Sequence, residues 1–249
     1  MRRIDAIFCL FLAVLTIFTM NSCKDETEEV VIDYSYFPTE MGKPLVYQVD
    51  SVIYDLFAND VYTQTSWVKE EIVKMDTDLS DRERYHVHHF EKSDFTQSWS
   101  GVSPRTWYTI KTPSQIERVE ENLRFIKMTF PISTETNWYG NHQIDTNEDR
   151  WEHYANWEYK YENIGESYTL SNGNSFDNTV TVNIFESESL INPTHKWFIE
   201  EVYAKDVGLI YREITNLRLS ASELPLLEDF PWPDRANDGE IVKWELLEF

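Results

Sequence analysis

The sequence predicts a mainly β fold: an antiparallel curved sheet, open barrel or sandwich. Three observations predict it. Apolar and polar residues alternate over many short runs, the period-two signature of strands with one buried face. Residue usage suits strands, with aromatics at 15% of the chain and many Val, Ile and Thr within the runs. Turn-forming residues separate those runs, and no long helical pattern interrupts them.

In chain order, Leu45, Tyr47, Val49 and Ile53 point one way and Gln48 and Asp50 the other, giving a first half-buried strand. Ser114 to Phe125 admits two readings. Ile116, Val119 and Leu123 have helical spacing, but Leu123 to Phe130 continues as a strand. Two strands joined at Glu121-Asn122 is therefore the preferred reading. Asn172-Gly173-Asn174 makes a turn after Tyr168–Leu170, and Val180, Val182 and Ile184 then alternate with Thr179, Thr181 and Asn183. Asn192-Pro193 precedes a strand from His195 to Ala204, and Asp206-Val207-Gly208 reads as the hairpin turn into Leu209–Leu219. Ser220 to Glu240 is the least regular stretch. Its Pro225, Pro231 and Pro233 argue against helix and central strand, so it is expected to wrap the surface. Val242, Trp244 and Leu246 alternate with Lys243, Glu245 and Leu247 in a last strand. No repeat or linker divides residues 36–249, which read as a single domain.

The N-terminus has a different character. Arg2 and Arg3 precede an apolar run from Ala6 to Met20, broken only by Thr16 and Thr19. The run is short of the about 20 apolar residues of a membrane span, and the pattern fits an export signal over residues 1–22. Met20-Asn21-Ser22-Cys23 resembles the lipobox of bacterial lipoproteins. That resemblance implies cleavage before Cys23 and lipidation of its thiol. The chain has 2 cysteines, Cys9 and Cys23. One leaves with the signal and the other is consumed by lipid, so no disulfide staples the exported domain. Residues 23–35 form the lipidated cysteine and a tether. Within it, Lys24-Asp25-Glu26-Thr27-Glu28-Glu29 is a solvated run. It is also similar to the acidic export tag of surface lipoproteins of the Bacteroidota type. The resemblance implies an outer-membrane location facing outward; the alternative is a plain linker on a periplasm-facing lipoprotein.

Three further patterns resemble a group of uncharacterised lipoproteins of the same bacterial type. They are Tyr36-Phe37-Pro38 with Gly42 and Tyr47; Glu121-Asn122, Phe130-Pro131 and Trp138-Tyr139-Gly140-Asn141; and Tyr203-Ala204-Lys205-Asp206-Val207-Gly208-Leu209-Ile210. The usual form of the third has glycine where Asp206 stands. The resemblance implies a β-rich single domain and no particular activity.

The formal net charge is −22. So acidic a body repels phosphate backbones and anionic headgroups, which excludes nucleic acid as a partner. Membrane attachment is expected through the lipid, palmitate-class acyl chains giving about 0.8 kcal/mol per buried methylene. Catalytic signatures are sparse. There is no G-x-S-x-G elbow, no H-E-x-x-H and no phosphate-cradling loop, and the chain holds only 7 glycines to build one. With 44 acidic residues, no carboxylate pair can be singled out for acid–base work. No catalytic residue and no cofactor are assigned.

Two constellations carry chemistry. His86 and His88 share a strand face with Arg84 and Phe90, and alternate histidines bind zinc or copper when a third ligand arrives from elsewhere. The bland alternative is a polar strand face. Asp145–Asp149 imitates the start of a calcium loop, but Arg150 and Asn156 stand where the EF-hand needs glycine and glutamate. The second constellation is aromatic. Trp157, Tyr159 and Tyr161 alternate with Glu158, Lys160 and Glu162, with Trp138 and Tyr139 nearby. Exposed, these rings would stack on sugars; otherwise they form the core. The expected function is non-catalytic: ligand binding or an accessory subunit, with a glycan or an envelope protein as partner. The alternatives are a structural or adhesive surface subunit, and a glycan-acting hydrolase using carboxylates.

Overall fold

In the first long strand, β1 (Pro44–Asp55), Val46, Tyr47, Val49 and Tyr54 are buried and Asp50 is exposed. In a computed structural model, residues 33–101, 105–187, 193–222 and 230–249 are described. Cys23, the signal segment and the acidic run lie outside them, as do Asn192 and Pro225. β1 turns back at Asp55–Asp60 into β2 (Asp60–Thr77). A meander continues through β3 (Glu83–Lys92), β4 (Arg105–Lys111), β5 (Gln115–Glu120) and β6 (Leu123–Thr129). A second meander comprises β7 (Asn137–Tyr139), β8 (Glu158–Thr169), β9 (Ser175–Glu186), β10 (His195–Ala204), β11 (Gly208–Arg218) and β12 (Asp238–Glu248).

First and last strands pair antiparallel, so the two meanders join into one sheet of 12 strands in the order β6-β5-β4-β3-β2-β1-β12-β11-β10-β9-β8-β7. Every neighbouring pair is antiparallel. The edge strands, β6 and β7, are consecutive in sequence and meet again in space. Ile126 N donates to Gly140 O at 2.8 Å, and Trp138 Nε1 donates to Ile126 O at 2.8 Å. The sheet thus curls into a nearly closed barrel, which settles the expected choice of curved sheet, open barrel or sandwich against the sandwich. Such closure removes most of the exposed edge that would invite pairing with other chains.

The local readings hold where turn chemistry is strong. Glu121 and Asn122 take φ of 49° and 69°, the left-handed pair of a two-residue hairpin, so the stretch from Ser114 is two strands. Asp206 takes φ of 61°, the conformation glycine adopts freely and Asp tolerates. Its N–H donates to Ser35 O at 2.7 Å, which ties the β10–β11 turn to the start of the domain. Among the described residues, the irregular stretch ends earlier than expected: a helical turn at Trp232–Arg235 leads into β12, which already begins at Asp238.

Candidate ligand-binding site

Four strands carry a charged residue where alternation calls for an apolar one. Glu70 falls in phase with Val68 and Ile72, and Lys127 with Phe125. Glu201 falls in phase with Ile199 and Tyr203, and Arg212 with Ile210 and Ile214. Because alternate residues share a face, curling the sheet drives these charges inward with their apolar neighbours. There they meet one another. Glu201, 1% exposed, accepts from Lys127 Nζ at 2.7 Å, from Arg212 Nε at 2.8 Å and from Tyr203 Oη at 2.5 Å. Glu70 accepts from Arg118 Nη2 at 2.7 Å and faces His89 Nδ1 at 3.2 Å. The Lys127–Glu201 pair ties β6 to β10, and Arg118–Glu70 ties β5 to β2.

Burial by itself would raise the Glu70 carboxyl. The Arg118 charge and the His89 hydrogen bond overcome this and hold it at about 2. Glu201 is governed by the same contest, with Lys127 and Arg212 holding it at about 2 against burial. Burial works against the two guanidinium charges as well, but Glu70 raises Arg118, and Glu201 raises Arg212, above the ordinary arginine value. Tyr47 and Tyr203 are pushed well up, chiefly by burial. Each of these six groups is locked on one side of its titration, so the two carboxylates and two guanidiniums present fixed charges near neutrality.

Beside it lies a cavity of ≈ 80 Å³, well above the roughly 10–15 Å³ that admits one water. Its floor is Tyr47, Glu70, Arg118, Glu120, Lys127 and Arg212, and its apolar wall includes Phe37, Leu45, Ile72, Val87 and Leu209. Lys43, Glu40, Glu71 and Asp206 also line it. Segments singled out in the sequence for other reasons converge here: Tyr36-Phe37-Pro38, Tyr47 and the Tyr203–Leu209 hairpin. The charged floor was not anticipated. No local motif marks it, because its members come from five strands; the available signal was a charge set in the apolar phase of a strand.

The expected aromatic platform needs correction. Trp138, Trp157, Tyr159 and Tyr161 are all buried, Tyr159 at 1% exposure, so they present no face on which a sugar could stack. They pack on one another, Trp138 and Tyr161 at 4.7 Å and Tyr159 at 5.5 Å from Trp138. Their polar ends are used internally: Tyr159 Oη donates to Asn141 Oδ1 at 2.7 Å and Tyr161 Oη to Thr129 O at 2.8 Å. The physical reason is burial: large rings are the most rewarding side chains to remove from water in a β interior. Tyr139 alone of the five is exposed.

The histidine pair needs correction too. His86 Nε2 contacts Asp76 Oδ2 at 2.9 Å, and Asp76 is already engaged by Arg84 at 2.8 Å. His88 lies edge-on to Phe90. Among the described residues, no group of three or more His, Cys, Asp or Glu is placed to hold a metal ion. The buried histidine is His89, on the opposite face of β3, stacked on Trp107 at 4.0 Å.

No protein-family model matches the chain, and no curated protein does. Among solved structures, the chain is similar to a "putative exported protein with YmcC-like fold" from Bacteroides fragilis, at 11% identity over 84% of this chain and 96% of that one, with a TM-score of 0.34.

Proposed function

We propose that this chain is an exported lipoprotein, anchored to the outer membrane through Cys23, whose barrel-like domain binds a small ligand without transforming it. The observation that carries the binding reading is the ≈ 80 Å³ cavity with a charged floor and an apolar wall, the composition of a small-molecule site. The hydrolase reading finds no general acid in Glu70 or Glu201. A glycosidase needs a protonated carboxylic acid, and Glu70 and Glu201 are both held ionised.

Two measurements test the proposal. Cys23→Ala should move the protein from the membrane fraction to the soluble envelope fraction; continued membrane association would refute the anchor. In a thermal-shift screen of small polar and amphipathic compounds, binders should raise the melting temperature of the full chain. The shift should disappear in Leu209→Trp, which fills the cavity. A screen in which no compound stabilises the chain would refute the binding reading.

A structural or adhesive subunit is favoured by one feature at the other end of the sheet. The β1–β2 turn exposes Leu56 and Phe57, the latter at 98%, beside Val61 and Tyr62. Exposed apolar groups of this kind mark contact surfaces.

A further inference from the structure

We propose that the cavity takes a small monocarboxylate with an apolar body, whose carboxylate displaces Glu120 from between Arg118, Lys127 and Arg212. This rests on the ligand-binding reading of the cavity and names the chemistry it selects.

The geometry around Glu120 differs from that around its neighbours. Arg118 Nε, Lys127 Nζ and Arg212 Nη2 all converge on one oxygen, Glu120 Oε1, at 3.6, 3.8 and 3.7 Å. Those separations exceed the N–H···O range of 2.7–3.2 Å. The same cations reach Glu70 and Glu201 at 2.7 Å. Glu120 therefore sits in the combined field of three cations without closing a hydrogen bond to any of them. An incoming carboxylate free to choose its own position would form the short charge-assisted bonds that Glu120 does not.

Charge fixes the valence. Three cations face Glu70 and Glu201, which leaves one positive charge over. Glu120 neutralises it now, and one carboxylate would neutralise it equally well. A dianion would overshoot, and Glu40, Glu71 and Asp206 against Lys43 make the rest of the lining net negative. Phosphate-bearing ligands are thereby disfavoured. The apolar wall supplies the remaining selectivity, since a hydrocarbon or ring body would lie against Leu45, Ile72 and Leu209.

Glu120 also has somewhere to go. It is the last residue of β5, next to the Glu121–Asn122 turn, and its side chain keeps 17% exposure. Rotation towards solvent would rehydrate its carboxylate as the ligand enters.

The test is titration calorimetry on the full chain in a non-ionic detergent at pH 7. Butyrate, hexanoate and benzoate are compared with the alcohols of matching body and with inorganic phosphate. The acids should bind at least about tenfold more tightly than their alcohols, and phosphate should not compete. Glu120→Gln removes the internal competitor, so it should tighten the acids about tenfold. The proposal is overturned if acids and alcohols bind alike, if phosphate matches the best acid, if Glu120→Gln leaves the acids unchanged or weaker, or if no acid binds. Should Glu120→Gln not fold, the acid–alcohol contrast in the unaltered chain decides alone. Alcohols that bind as well as acids would leave the ligand-binding reading standing and remove only the carboxylate.

Discussion

Two parts of the barrel interior solve the same packing problem with opposite chemistry. Near the β6–β7 seam, Trp138, Trp157, Tyr159 and Tyr161 fill the space with rings, and Val180, Val182 and Ile184 pack against them. Trp138 Nε1 and Tyr161 Oη donate to backbone carbonyls, and Tyr159 Oη to the Asn141 side chain. Between β2, β5, β6, β10 and β11 the interior is instead held by Glu70, Arg118, Lys127, Glu201 and Arg212. Burial of rings is non-directional and rewards any close fit. Buried ion pairs are favourable only while every partner is present, because the desolvation of each charge is large. The aromatic side should therefore tolerate change gradually and the charged side should fail abruptly. The cavity with the charged floor lies on the charged side, where ion pairs fix side chains at set distances and do not collapse around empty space.

Acid should expose that difference most strongly. Glu70 and Glu201 are held at about 2 against an ordinary value of 4.5. For carboxylates lowered in the folded state, the stabilisation is complete above the unfolded value. It is lost as pH falls through the folded one. The domain should thus lose stability steeply between about pH 4.5 and 2. Glu200 opposes this weakly: burial and the facing Glu213 raise its carboxyl, so its contribution grows on acidification. Denaturant midpoints measured from pH 7 to 2.5 check the sign. A midpoint that stays flat across this range would show that the ion pairs contribute nothing.

Next in size is Lys127→Ala. It leaves Glu201 buried with Arg212 and Tyr203 but one cation short, and uncompensated buried charge costs about 3–5 kcal/mol. Because Lys127 joins β6 to Glu201 on β10, the loss should fall on stability. Urea unfolding of the variant measures it. A loss below about 1 kcal/mol would mean that the charged side is as forgiving as the aromatic one.

How far each side could be read from sequence follows the same division. The sheet was legible because alternation and turn residues are local: Val180 to Ile184, and Glu121-Asn122 with its left-handed pair, carry their own signal. The aromatic side was legible as a cluster but not as an interior. Alternation tells that Trp157, Tyr159 and Tyr161 share a face, and only closure of the sheet decides that the face points inward. The charged floor was not legible. Its members lie as far apart as Glu70 and Arg212, and each looks like an ordinary surface charge until its phase is compared with the residues two places away. His86 and His88 drew notice by spacing, whereas His89, one place off that phase, is the one that enters the interior.

The smallest effect tests the seam itself. Gly140 follows β7, and its carbonyl receives the Ile126 N–H that closes the barrel. A Cβ added there would press against the Tyr159 ring far inside van der Waals contact. The restriction is steric alone, since Gly140 is not among the positive-φ positions. In Gly140→Ala, either Tyr159 moves and gives up its bond to Asn141, or the backbone retreats and stretches the bond to Ile126. Overpacking of this kind costs about 1–3 kcal/mol. Because rings can shift together where ion pairs cannot, the cost should lie nearer the lower figure, and the variant should remain folded and keep its acid sensitivity. A denaturant midpoint equal to that of the unaltered chain would show that the seam has slack. Loss of the folded state would show that the aromatic side is no more forgiving than the charged one.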